Sequence, residues 1–167
     1  EIPLTAAILR YYAGAADKIE GSVKSAEGGS FALTTYEPYG VVGAISPFNF
    51  PLNLVAHKLG PSIAAGNATV LKPAGQTPIS AIKLAEILYD AGLPEGWLQV
   101  ITGPGSEVGN AIVESEVTRA LTFTGSAAVG WDIRSKVPHK KVNLELGSNA
   151  PLIVNDDGDW ETASDKA

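Results

Sequence analysis

Four short stretches carry residues whose types and spacing can do chemistry. In SPFNFP (residues 46–51) the amide of Asn49 stands between aromatics and prolines at the end of an apolar run. Proline stiffens the backbone on each side, so the amide can act as a fixed N–H donor toward a developing oxyanion. A plain turn asparagine is the other reading of the same residues. In VLKPAGQTP (70–78), Lys72 ends an apolar run just ahead of a helix. An ammonium there can meet a ribose hydroxyl or a phosphate, or can simply be solvated. In NLELG (143–147), two leucines flank Glu145. Burial would raise its pKa and make it a proton acceptor near neutral pH, whereas strict alternation would turn Asn143 and Glu145 toward solvent. In LTFTGSAAVG (121–130), Leu121 and Phe123 suit a buried strand, Gly125 a sharp turn and Ser126 a helix N-cap. Gly130 leaves room for the new helix to pack closely. Such a helix start gathers backbone N–H donors and the positive end of the helix dipole, a place to hold a phosphate. Gly-Ser turns at helix starts are also common as plain structure.

These residues need a frame that brings loop ends together. The pattern predicts strands at 41–45, 68–71, 98–101, 121–123, 142–146 and 151–154, separated by helices at 52–65 (with Pro61 a bend or break), 78–90 and 106–113. Such alternation implies an α/β fold: an open, mainly parallel sheet with helices on both faces. In open sheets of this kind ligands collect beyond the carboxyl ends of the strands, which selects the loops 46–51, 72–77, 102–106, 124–126 and 147–149. Ahead of the sheet, residues 6–19 place apolar groups on one helical face, 21–30 are small and polar, and 31–45 read as two short strands around Glu37-Pro38-Tyr39-Gly40. An acidic stretch at 156–165, with Trp160 inside it, reads as a helix start.

Composition removes several function classes. The chain has 167 residues, 45% of them apolar, the size of one globular domain. Twelve basic against eighteen acidic residues give a net charge of −6, which argues against a general nucleic-acid binder. No cysteine is present, so disulfides, thiolate metal sites and a thiol nucleophile within this chain are excluded. His57 and His139 are the two histidines, far apart and without a carboxylate pattern, so no metal is expected. Residue 1 is Glu, and no secretory leader or membrane span is expected, which is compatible with the cytoplasm. Asn67-Ala68-Thr69 matches a glycosylation sequon but falls at the start of a core strand, where chance is the expected explanation.

Taken in order, EPYGVVGAISPFNFPL (37–52), VLKPAGQTP (70–78), LTFTGSAAVG (121–130) and NLELG (143–147) closely resemble the aldehyde dehydrogenase superfamily in both content and spacing. The resemblance covers most of the chain. It implies a Rossmann-like NAD(P)-binding domain over residues 46–167, cut before the catalytic domain. Ahead of it would lie an N-terminal helical segment (1–30) and oligomerisation or bridging strands (31–45). By resemblance, Asn49 would be the oxyanion-hole amide and Glu145 the general base. Lys72 would contact the adenosine ribose, and Ser126 with the backbone around Gly125 would hold the pyrophosphate. Gly103 and Gly130 would let chain and helix pack beside the coenzyme, and Leu146 and Gly147 would lie near the nicotinamide. Ser46, Pro47, Phe48, Ala74, Gly105, Phe123, Thr124 and Val129 complete the implied coenzyme-binding set.

Departures from the family pattern shape the functional expectation. The family's cysteine nucleophile lies downstream of the Glu motif, and this chain has none. Gly75 stands where many NAD-preferring members have a Glu, so nothing there repels a 2′-phosphate and either NAD or NADP is expected. Ser148 replaces a glycine common after Gly147. The expectation is the coenzyme-binding part of an NAD(P)-dependent dehydrogenase that oxidises an aldehyde to an acid through a cysteine thioester. The full-length protein would be a homo-oligomer, and the isolated chain would be inactive. A non-catalytic nucleotide-binding or assembly module is the alternative.

Overall fold

The structure is a computed structural model that describes residues 1–166. A five-stranded parallel sheet, in the order β5-β4-β3-β6-β7, forms its centre. The strands are β3 (Val41–Ile45), β4 (Ala68–Lys72), β5 (Leu98–Val100), β6 (Thr118–Thr124) and β7 (Lys141–Glu145). The crossover helices are α2 (Asn53–Ala64), α3 (Pro78–Asp90), α4 (Asn110–Glu114), entered through a π-helical turn at Gly105–Gly109, and α5 (Ala127–Lys136). The chain moves from β3 outward through β4 to β5, returns to the other side of β3 as β6, and ends at β7. The order therefore reverses between β3 and β6, and there the carboxyl ends open a crevice for ligands.

Alternation along the strands divides the core between the two faces. Ala44 and Leu71 pack with Val55 and Leu59 of α2 and with Ala81, Leu84 and Ala85 of α3. Ile45, Val70, Leu121 and Phe123 pack on the opposite face with Ile112 and Val113 of α4 and Ile133 of α5. Helix α1 (Ile2–Ala15) lies against α2. The Glu1 carboxylate accepts a hydrogen bond from the Asn53 N–H, which supplies the start of α2 with an acceptor its own sequence lacks. Pro61 is accommodated within α2 without ending it.

Two expected strand positions are corrected. The antiparallel hairpin joins β1 (Ser22–Ser25) to β2 (Phe31–Thr34), so the polar run before Phe31 supplies its first strand. Val41–Ile45 is instead the central strand of the main sheet, because its small and β-branched residues can be covered on both faces. Residues 151–154 are exposed and form no strand: β7 pairs with β6, and no described strand pairs with the following segment. The acidic stretch does become a helix, α6 (Trp160–Lys166), with Asp159 accepting hydrogen bonds from the Thr162 N–H and hydroxyl. Asn67 is buried, accepts from the Gly40 N–H and donates to the Ser62 carbonyl, so its side chain serves the fold. No helix among the described residues is long and apolar enough to cross a membrane.

Candidate functional site

The expected site residues gather at the carboxyl edge of the sheet but divide between its two faces. On the α4/α5 face, Lys72, Gly105, Phe123 and Val129 line a cavity of about 350 Å³ together with Ile45, Ser106, Asn110 and Ile133. On the α2 face, Thr124, Glu145 and Leu146 line a second cavity of about 590 Å³ with Lys58, His57 and Tyr12. The division follows from strand periodicity: neighbours Phe123 and Thr124 must point to opposite sides of β6.

Lys72 is 6% exposed at the end of β4, which removes the solvated-lysine reading. Burial lowers its pKa, and its Nζ donates 3.1 Å to the Pro73 carbonyl. An ammonium has three donors, so two remain for a ligand in this cavity. Beside it, Ser46 directly follows β3; its N–H donates to the Lys72 carbonyl (3.2 Å), while its buried Oγ has no hydrogen-bond partner. An orphaned hydroxyl of this kind fits a site completed by a polar ligand. Pro47 and Ala74 are half-buried, and Phe48 and Asn49 are exposed in the bend before α2. Asn49 is thus placed at the carboxyl edge but is not enclosed.

The Gly125–Ser126 turn connects β6 to α5 as expected, but by different local physics. Gly125 is not in the left-handed region. A Cβ there would lie 2.6 Å from the Phe123 ring, so glycine is required by the ring folded over the turn. The Gly125 N–H is already donated to the Glu145 carbonyl (3.1 Å), and Ser126 occupies the N-cap position without a side-chain capping bond. Donors at this helix start are therefore the N–H groups of the first turn, with the Ser126 hydroxyl uncommitted. Gly130 packs directly against the Leu146 side chain, the close approach expected of it. Gly103 precedes the π-helical turn, where a Cβ would meet Val108; Gly147 is exposed with open space around it.

Glu145 is exposed, in contrast to the buried carboxylate considered from its leucine neighbours. Val142 and Leu144 turn into the α4/α5 core, so Asn143 and Glu145 alternate to the other face. There Glu145 shares its cavity with Lys58, a residue outside the four motifs and the strand-end loops. Lys58 is 5% exposed; its Nζ donates to Thr122 Oγ1 (3.2 Å) and Thr124 Oγ1 (2.7 Å). Burial pushes its pKa down to about 8, with the nearby Glu145 carboxylate acting in the opposite direction. The signal was available: Val55, Lys58, Leu59 and Ser62 form one buried helical stripe with a lysine in it. Asn110, Asp132 and Lys136 of the first cavity lie outside the strand-end loops, whereas Ser106 ends the loop 102–106. Lys136 is held by Asp132 (2.7 Å) and Asn110 (3.2 Å).

The family model for the aldehyde dehydrogenase family matches residues 1–167. The chain belongs to the aldehyde dehydrogenase family. It is 51% identical over 169 residues to a 3-sulfolactaldehyde dehydrogenase of Priestia aryabhattai, an alignment covering 98% of this chain and 35% of that relative. Among solved structures it resembles an NADP-dependent glyceraldehyde-3-phosphate dehydrogenase of Bacillus halodurans C-125 complexed with NADP. The TM-score is 0.86 at 45% identity, over 98% of this chain and 36% of that one. It also resembles PnpE in complex with nicotinamide adenine dinucleotide, with a TM-score of 0.87 at 40% identity, over 98% of this chain and 34% of that one. The chain thus spans about a third of the length of these three proteins.

Proposed function

We propose that this chain is the coenzyme-binding part of an NAD(P)-dependent aldehyde dehydrogenase. One observation carries the reading: a buried ammonium, Lys72, with two uncommitted donors, faces a cavity beside the strand-order reversal. Lys72 would hold the ribose or a phosphate attached to it. Ser126 and the first-turn N–H groups of α5 would hold the pyrophosphate, with Phe123 and Val129 forming apolar walls for the adenosine. The coenzyme, when bound, supplies the hydride acceptor. Glu145, on the opposite face, would take a proton from a nucleophile or water, and Asn49 would donate its amide to the aldehyde oxygen. The cysteine that attacks the aldehyde in this reading is not among these residues. Relatives solved with NADP and with NAD support either coenzyme.

The proposed coenzyme domain begins at Val41 rather than at residue 46, because β3 is the central strand of its sheet. The hairpin, with Val23, Phe31 and Leu33 exposed, is proposed as a self-association element of the full-length homo-oligomer. Calorimetric titration of the chain with NAD and NADP tests the central claim. Binding of at least one coenzyme, with no reduced coenzyme formed on adding an aldehyde, is expected. A folded chain that binds neither would defeat the coenzyme assignment, and aldehyde-dependent reduction by the pure chain would defeat the predicted inactivity.

A further inference from the structure

The cavity on the α2 face holds a buried amine to which the functional reading gives no task. Three lysines are buried, Lys58, Lys72 and Lys140, and their partners separate them. Lys72 donates to the Pro73 carbonyl, and Lys140 to the carbonyls of Val113 and Ser115. A carbonyl can only accept, so a neutral amine beside it leaves its lone pair without a donor. Lys58 instead meets two threonine hydroxyls, which can donate as well as accept. It can lose its proton and remain hydrogen-bonded. Its Nζ meets those hydroxyls where both threonines line a cavity of about 590 Å³, space enough for a small organic molecule.

We propose that Lys58 is a covalent capture site for aldehydes, its neutral Nζ forming an imine with an aldehyde admitted to the α2-face cavity. The nitrogen lone pair attacks the carbonyl carbon and the carbonyl π pair moves to oxygen. One N–H proton passes to that oxygen, giving a carbinolamine. The C–O bond then breaks, the nitrogen pair closes the C=N bond, and the oxygen leaves as water with both protons originally on nitrogen. Nothing is oxidised or reduced. Dehydration needs an acid–base group, and the Glu145 carboxylate lines the same cavity. The remaining titratable groups around it are His57 of α2 and Tyr12 of α1. Burial supports the step by lowering the ammonium to about 8, so roughly a tenth is neutral at pH 7, against less than about a thousandth for an ordinary lysine. The adduct would occupy the space before Glu145 and act as a reversible block. This inference rests on the aldehyde reading only for the class of molecule expected in the cavity.

Treating the purified chain with benzaldehyde and cyanoborohydride at pH 7 traps each imine as a stable benzylamine, and peptide mass mapping then ranks the lysines. Lys58 is expected to be modified at least about tenfold faster than the exposed Lys24 and Lys141, given its larger neutral fraction. Lys58→Arg should abolish the fast event and leave the other sites unchanged. Wild-type mapping decides the matter even where that variant does not fold. Modification of Lys58 no faster than of Lys24 would overturn the proposal. An adduct at Lys58 in a chain that binds no coenzyme would sink the coenzyme assignment alone; coenzyme binding without the adduct would sink this inference alone.

Discussion

Replacing Lys58 by Met tests the energetic account of the α2-face cavity. Methionine keeps an unbranched apolar stem and removes the ammonium that burial disfavours. In the folded chain this group titrates at about 8 instead of 10.5. A depressed lysine pKa means that the unfolded chain binds the proton more tightly. Its contribution to stability is complete above about 10.5 and is lost as pH falls through about 8. The difference of about 2.5 units corresponds to about 3 kcal/mol at 1.36 kcal/mol per unit. The hydrogen bonds to Thr122 and Thr124 lost with the amine shift both ends of the comparison similarly, so they alter its offset and not its slope. Urea denaturation of wild type and Lys58→Met between pH 7 and pH 10.5 measures the effect. The wild type should gain about 3 kcal/mol relative to the variant across that range. Parallel stability curves would refute the claim that burial of Lys58 carries a protonation cost.

Other perturbations probe the coenzyme side. Lys72→Met should weaken NAD(P) binding in calorimetry by at least about tenfold, since a charge-assisted hydrogen bond contributes about 1.5–3 kcal/mol; unchanged affinity would remove Lys72 from the site. Gly125→Ala forces a methyl against the Phe123 ring and should cost about 1–3 kcal/mol in urea unfolding. Phe123→Leu should restore part of that loss. Lys140→Met leaves the Val113 and Ser115 carbonyls at the end of α4 without their donor, and a loss of about 1–3 kcal/mol should appear as a lower thermal midpoint. Replacing Phe31 and Leu33 of the hairpin by Ser should lower self-association in light scattering without changing coenzyme affinity.

Local chemistry determined much of this molecule in advance. Gly and Pro punctuation with apolar runs marked the parallel strands and crossover helices, because turn residues and burial periodicity act over a few positions. The ordered motifs around Asn49, Lys72, Gly125-Ser126 and Glu145 pointed to the family before any tertiary contact was known. Ser22–Ser25 is polar apart from Val23, with serines that also suit a turn and no apolar alternation, so its strand character comes from pairing with Phe31–Thr34. Only the tertiary structure decided which face each site residue occupies, that Gly125 is required by the Phe123 ring, and that Glu145 faces Lys58 across an open cavity. These facts depend on side chains far apart in sequence. Lys58 shows the reason most plainly: its charge is written in the sequence, but its protonation is set by the threonines and the burial that α2 and β6 create together.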